Sequence, residues 1–259
     1  MNRRDFLAAS AVAGMVPLSH LTARAPLQES GREYYELRRY HLLYGAKQQQ
    51  MHDFLQNAAI PALNRQGVGP VGVFSSTFGP SSSTLIVLLP HRSLESVATL
   101  RQRLADDAEY QRAGADVLDA PMSDPAYIRY ESTLLRAFEK MPRLEAPAPQ
   151  SRIFELRTYE SPSNKLALNK LEMFNAGGEV PIFRRTGLTP VFFGEALLGE
   201  NLPHLTYMLT FPDIAARDRA WAAFSADPEW KALSANPHFR DNVSSITDLI
   251  LRPARYSQI

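Results

Sequence analysis

The chain has 259 residues, 45% of them hydrophobic and 21% charged, with a formal net charge of +1 and no cysteine. That balance suits one large or two small globular domains whose core needs no covalent staples. The missing cysteine excludes disulfides, thiolate metal sites and thiol nucleophiles, and a near-neutral chain without basic runs argues against nucleic acid or an anionic membrane as partner.

In chain order, residues 1–25 read as an export signal rather than as fold material. Asn2-Arg3-Arg4-Asp5-Phe6-Leu7 resembles a twin-arginine signal, and Phe6 to Leu18 is an apolar stretch broken by small residues. At roughly 13 residues it is too short to span a bilayer and fits a signal h-region. Ala23-Arg24-Ala25 is the expected cleavage box, with Pro26 an awkward neighbour; the alternative is a basic, disordered N-terminus. Removing 1–25 shifts the formal charge to −1. The expected address is periplasmic or extracellular, with no stable membrane insertion after cleavage.

Residues 26–32 form a polar leader, and Glu33 to Leu43 reads as a strand. From Lys47 to Gln66 the apolar Met51, Phe54, Leu55, Ala58 and Ala62 fall at helical spacing. Pro61 predicts a kink or restart there, and Gly67 sits where a helix end favours a left-handed residue. Val71 to Phe78 and Thr84 to Leu89 are two strands joined by Gly79-Pro80-Ser81-Ser82, with Pro90 closing the second. Ser93 caps a helix through about Arg103, a further helix runs from about Asp107 to Leu118, and Tyr127 to Phe138 is a fourth strand. This strand–helix–strand–strand–helix–strand order is ferredoxin-like, with both helices on one face of an antiparallel sheet.

Met141 to Pro149 is a Pro-rich, semi-rigid linker. The order then returns: strand 152–160, helix 163–186 weakened by Gly177-Gly178, strands 190–198 and 204–211, helix 213–226, a short helix opened by Asp227-Pro228-Glu229-Trp230, and strand 243–252. In that tetrapeptide Asp227 caps, Pro228 suits the first helical position, Glu229 meets the positive helix end and Trp230 turns to the sheet.

The wording repeats as well. Tyr35-Glu36-Leu37-Arg38-Arg39-Tyr40 is answered by Phe154-Glu155-Leu156-Arg157-Thr158-Tyr159 at an offset of 119 residues. Pro61, Arg65, Gly67, Pro70 and Val71 are answered by Pro181, Arg185, Gly187, Pro190 and Val191 at an offset of 120. Two ordered matches at nearly one offset read as a tandem duplication. The expected divisions are a signal over 1–25, a first domain over 33–139, a linker over 140–150 and a second domain over 151–256.

With this repeat, the Glu-Leu-Arg-Thr-Tyr strand at 155–159 and the Asp-Pro-Glu-Trp-Lys stretch at 227–231, the chain resembles the NIPSNAP family. The resemblance covers about residues 33–255 in two copies, the second nearer the family pattern. It implies an α+β fold: two tandem ferredoxin-like (βαββαβ) units packed sheet to sheet as an intramolecular dimeric α/β barrel. It implies no particular reaction. The residues point the same way independently, because continuous apolar runs such as Leu85-Ile86-Val87-Leu88-Leu89 need burial on both faces, and only the other copy can supply the second cover.

The candidate ligand-binding residues are Glu36, Arg38, Tyr40, Glu155, Arg157 and Tyr159. In the first strand of each copy, Tyr35 and Leu37, or Phe154 and Leu156, are expected under the helices, which aims those six between the sheets. There Glu and Arg at i, i+2 could grip an anionic or carbonyl-bearing ligand, with Tyr as stacking or hydroxyl partner. The competing reading is a structural ion-pair and tyrosine network at the sheet interface. Catalytic residues stay unassigned. His41, His52, His91, His204 and His238 show no metal spacing, and no nucleophile elbow, phosphate loop or dinucleotide fingerprint is present, so no cofactor is indicated by motif.

Three functional readings follow. The first is an exported barrel binding a small molecule between its two sheets, a reading that a fully packed interior would sink. The second is a cofactor-independent oxygenase or haem-type enzyme of the dimeric α/β-barrel class, with one histidine as axial ligand in the haem case. The third is a protein-interaction module using its outer helices, and further homodimerisation through sheet edges is open to any of them.

Overall fold

The computed structural model describes residues 31–76 and 83–259. The export segment 1–25, most of the polar leader and the connection Gly79-Pro80-Ser81-Ser82 lie outside the described residues. β1 spans Tyr34–His41. The helix after it is α1 (Ala46–Phe54), a π-helical turn over Leu55–Ala59, then α2 (Ile60–Arg65). The interruption expected at Pro61 thus takes the form of a widened turn just before it. Proline offers no N–H to the carbonyl one turn back and its ring crowds that carbonyl, and a wider turn relieves both problems. Gly67 ends the helix at φ 73°, a left-handed conformation that costs glycine nothing.

β2 (Gly72–Ser76) and β3 (Thr84–His91) follow. Pro90 does not close β3, contrary to the sequence expectation. The β2 ladder ends opposite Leu88, so the N–H that Pro90 lacks is not needed on that side. α3 (Leu94–Ala105) is capped by Ser93, whose hydroxyl accepts from the Ser96 N–H at 3.1 Å. The helix expected over 107–118 is split at Gly114 into α4 (Ala108–Ala113) and α5 (Ala115–Leu118), and β4 (Arg129–Ala137) completes the first half.

The second half runs β5 (Ile153–Glu160), α6 (Asn164–Asn175), α7 (Glu179–Arg185), β6 (Thr189–Leu198), β7 (His204–Phe211), α8 (Ile214–Ala226), α9 (Pro228–Ala235) and β8 (Ser245–Pro253). Gly178, at φ 88°, divides the expected single helix into α6 and α7. Asp227 caps α9 by accepting from the N–H groups of Glu229 and Trp230 at 2.9 and 3.0 Å, and the Trp230 ring lies 4.4 Å from Phe224.

The eight strands close a barrel in the order β1-β3-β2-β8-β5-β7-β6-β4, every neighbouring pair antiparallel. Two ferredoxin-like halves therefore meet sheet to sheet, joined at the β2–β8 and β4–β6 seams. Among the described residues three apolar cores result. One packs the first half's helices on its sheet and a second does so in the other half. The third fills the barrel with residues of both halves, among them Tyr35, Leu37, Phe74, Phe154, Leu156, Phe192 and Leu251. Tyr35 meets Phe192 at 5.0 Å and Phe74 meets Phe154 at 4.9 Å between ring centroids.

This arrangement reverses the expected faces of β1 and β5. Tyr35, Leu37, Phe154 and Leu156 point into the barrel, while Glu36, Arg38, Tyr40, Glu155, Arg157 and Tyr159 lie on the outer face of the sheet toward the helices. An eight-stranded barrel is only wide enough to be filled by side chains, and bulky apolar groups fill it best. The neighbouring strands are apolar on both faces, so alternation alone could not choose between them. Among the described residues no helix is long and apolar enough to cross a membrane.

Candidate functional site

The six residues singled out from the sequence form two networks between sheet and helices. In the first half the Glu36 carboxylate accepts from Arg38 through two bonds, 2.7 and 2.8 Å, and from the Ser132 hydroxyl at 2.8 Å. Burial works to raise the Glu36 pKa, but Arg38 and Ser132 outweigh it and hold the group below the usual carboxylate range. Arg38 lies 5.7 Å from the centre of the Tyr130 ring, and Tyr40 packs against Tyr127 and Tyr130. His91, fully buried, sits 3.8 Å from Glu36, with Nδ1 3.0 Å from the Ser96 hydroxyl. Desolvation drives its pKa down to about 4.

In the second half Glu155 is completely buried and draws its partners from a helix. It accepts from Arg217 Nε and Nη2 of α8 at 3.0 and 2.6 Å, from the Trp221 indole N–H at 2.8 Å and from Arg157 at 2.8 Å. Here too burial opposes ionisation and the donors win, leaving the carboxyl below its ordinary range. Arg157 stacks 4.6 Å over Trp221, and the Tyr207 hydroxyl donates to that of Tyr159 at 2.7 Å. Each glutamate is satisfied by its own protein partners, those of Glu36 within the sheet and those of Glu155 reaching to α8. Ser132, His91, Arg217 and Trp221 were not found from sequence. The i, i+4 spacing of Arg217 and Trp221 on one helix face was the available signal.

A different set faces the space between the sheets. Toward the C-terminal ends of β1 and β5 the barrel interior turns polar, around a cavity of about 60 Å³ lined by Arg39, Glu131, Thr133, Thr158, His204 and Thr206. Glu200 and Asn201, from the loop between β6 and β7, line its rim. Thr158 and Thr206 share a hydrogen bond of 2.9 Å, and Thr206 lies 3.3 Å from Nδ1 of the buried His204. Desolvation lowers the His204 pKa, which keeps the imidazole neutral near pH 7. Arg39 forms no ion pair with a described residue, although Glu131 is its cross-strand neighbour. Glu131 turns instead to His41 at 3.0 Å and Arg129 at 3.3 Å. The mouth therefore holds a half-buried guanidinium with donors to spare, three threonine hydroxyls, a neutral histidine and the Glu131 carboxylate, which is engaged by His41 and Arg129. Sequence reading passed over it because it lies on the face assigned to the helices.

Among the described residues no group of three or more His, Asp or Glu is placed to hold a metal ion. His52 pairs with the Tyr256 hydroxyl at 2.6 Å, and exposed His238 meets Glu172 at 3.1 Å. A buried pair that the sequence did not announce joins Lys170 to Glu179 at 2.9 Å, with the ammonium 4.6 Å from the Phe174 ring.

The model of the NIPSNAP family matches residues 35–120 and 154–258. No curated protein matches the chain. Among solved structures, a "putative monooxygenase" from Lactobacillus acidophilus NCFM is similar at a TM-score of 0.56 and 8% identity, over 86% of this chain and 94% of that one. An anthrone oxidase-like protein is similar at a TM-score of 0.52 and 12% identity, over 88% and 93%. An uncharacterized NIPSNAP-like domain protein from Burkholderia xenovorans is 22% identical over 42% of this chain and 90% of its own, at a TM-score of 0.38. At such identities the first two likenesses are likenesses of fold, an eight-stranded dimeric α/β barrel.

Proposed function

This chain belongs to the NIPSNAP family, and from that premise we propose that it binds a small molecule bearing an acidic group, at the polar end of the space between its two sheets. The observation that carries the reading is Arg39. A half-buried guanidinium without an ion-pair partner among the described residues, beside Thr158, Thr206 and neutral His204, is a receptor for a carboxylate. The rest of the interior is packed, so the ligand enters from the mouth and stops at Leu37. The cavity takes a head group of a few atoms; a larger body would rest against Glu200 and Asn201 on the rim.

The oxidase and monooxygenase names of the structural neighbours belong to those proteins. A shared fold leaves the reaction to each protein's own residues. Residues 1–25 are proposed as a twin-arginine export signal, which places the binding protein in the periplasm or outside the cell. Replacing Arg3 and Arg4 by Lys should retain the chain in the cytoplasm, and unchanged export of that variant refutes the signal.

The binding reading is tested by titrating acetate, lactate and pyruvate into the protein at low ionic strength, with native mass spectrometry of material purified from cells. Saturable binding of at least one acid is expected, weakened about tenfold in Arg39→Gln, the order of one charge-assisted contact. Absence of binding by all three, together with a bare native mass, removes the reading.

A further inference from the structure

We infer a second ligand site, for a small anion carrying two or more negative charges, in the groove between the linker and the chain that follows β8. It lies at the end of the barrel opposite the mouth, where β5 begins and β8 finishes. The groove has a volume of about 630 Å³, and Arg152, Arg252 and Arg255 all line it. No carboxylate side chain among the described residues lines it with them. Arg252 and Arg255 are exposed and form no ion pair with a described residue. Among the described residues Arg152 is tied only to neutral acceptors: the Ala148 carbonyl, the Gln150 carbonyl at 3.3 Å and the Thr210 hydroxyl at 3.4 Å.

Both walls are fixed before any ligand arrives. Pro147 and Pro149 stiffen the linker wall. The opposite wall is strapped to residues 71–73: the Ala254 N–H donates to the Val73 carbonyl at 2.8 Å and the Gln258 N–H to the Val71 carbonyl at 2.9 Å. Their side chains complete the strap, Ser257 accepting from the Val73 N–H at 3.0 Å and Gln258 from the Val71 N–H at 2.8 Å. Three like charges held around one concavity repel each other and concentrate counter-ions there. A monovalent anion neutralises one guanidinium and leaves the others. An anion with two or more oxyanion groups bridges them with paired N–H···O bonds, which is the geometry arginine favours.

The groove takes nothing from the mouth, so the two sites are tested separately. Pyrophosphate and citrate, titrated calorimetrically into the full chain at low salt, distinguish phosphate from carboxylate recognition, with acetate as monovalent control. One-site binding of at least one of the two is expected, weakening as salt rises. Arg252→Gln/Arg255→Gln should lower that affinity about a hundredfold, tenfold for each guanidinium lost. Both side chains are exposed, so an unchanged melting temperature certifies the fold of this variant, and Arg39→Gln should bind as the parent does. Failure of both anions to saturate, acetate binding as tightly as either, or undiminished affinity in the double variant overturns the site.

Discussion

Glu36 and Glu155 hold the same place in their two sheets, yet they are secured in different ways. Glu36 is met by Arg38 two residues along its own strand and by Ser132 on the next. Glu155 is met by Arg157 in the same manner, but also by Arg217 and Trp221 from α8. At the matching positions in the first half stand Val97 and Arg101, so α3 has no equivalent grip. The difference teaches that one strand motif can do two jobs. In the first half it neutralises a local charge, and in the second it bolts a helix to the sheet.

The largest expected effect follows from that bolt. Glu155→Ala removes a fully buried acceptor shared by Arg157, Arg217 and the Trp221 N–H, leaving the two arginines to the exposed Asp248, and should cost about 3 kcal/mol. Glu36→Ala should cost about 1–2 kcal/mol, because only Arg38 and the Ser132 hydroxyl lose their acceptor and no helix residue does. Urea denaturation of the two variants measures both, and equal losses would erase the distinction between the halves. Next comes Lys170–Glu179, whose matching positions in the first half are Gln50 and Ala59. Lys170→Met should destabilise by about 3 kcal/mol at neutral pH by stranding a buried carboxylate. Burial already raises the Glu179 pKa against the pull of Lys170, so the penalty should shrink as pH falls and Glu179 takes up a proton. Lys170→Met/Glu179→Leu should return to within about 1 kcal/mol of the parent. A double variant as weak as the single one means that the pair contributes more than its charges.

A third test separates the halves by pH. His91 keeps its neutral form down to about 4 when folded, whereas an unfolded histidine takes up a proton near 6.5. Between those values the unfolded chain binds more protons, so stability rises with pH and is lost as pH falls from about 6.5 toward 4. The loss attributable to His91 is at most about 3 kcal/mol. His91→Gln should flatten the stability curve in that window, apart from the slope contributed by His52 and His204, whose pKa values burial also lowers. A curve unchanged in shape would show that His91 takes up its proton at the same pH in the folded chain as in the unfolded one.

Much of this architecture was legible in the sequence. The order of elements followed from turn residues, caps and apolar runs, and Ser93 and Asp227 cap where their side chains suggest. What could not be read was which face of β1 and β5 turns inward. Alternation sorts residues into two sets, Tyr35 with Leu37 against Glu36 with Arg38 and Tyr40, but it does not say which set meets its own helices and which meets the other sheet. The answer depends on partners distant in sequence, Arg217 and Trp221 for Glu155 and Phe192 for Tyr35. The mouth was hidden for the same reason, although one clue was present. Arg39 and Thr158 are the residues at which the two strand motifs differ between their shared arginine and tyrosine, and both line the cavity.

The smallest effect concerns the tyrosines that end the motif. Tyr159 accepts a hydrogen bond of 2.7 Å from Tyr207, inside a cluster formed by Phe174, Phe183 and Phe193. The matching residue in the first half is Val87, and Tyr40 relies there on ring contacts of 5.4 and 5.2 Å with Tyr127 and Tyr130. Tyr207→Phe keeps the ring and its packing but removes the donor, and should cost about 1 kcal/mol, the net worth of one buried hydrogen bond. Tyr127→Phe removes a hydroxyl from a contact made by ring faces and edges, so it should change stability by less than about 0.5 kcal/mol. Both are read from urea midpoints at constant slope. If Tyr127→Phe proves as costly as Tyr207→Phe, then hydroxyls sustain both helix–sheet layers alike, and the contrast between the halves reduces to the grip of α8 on Glu155.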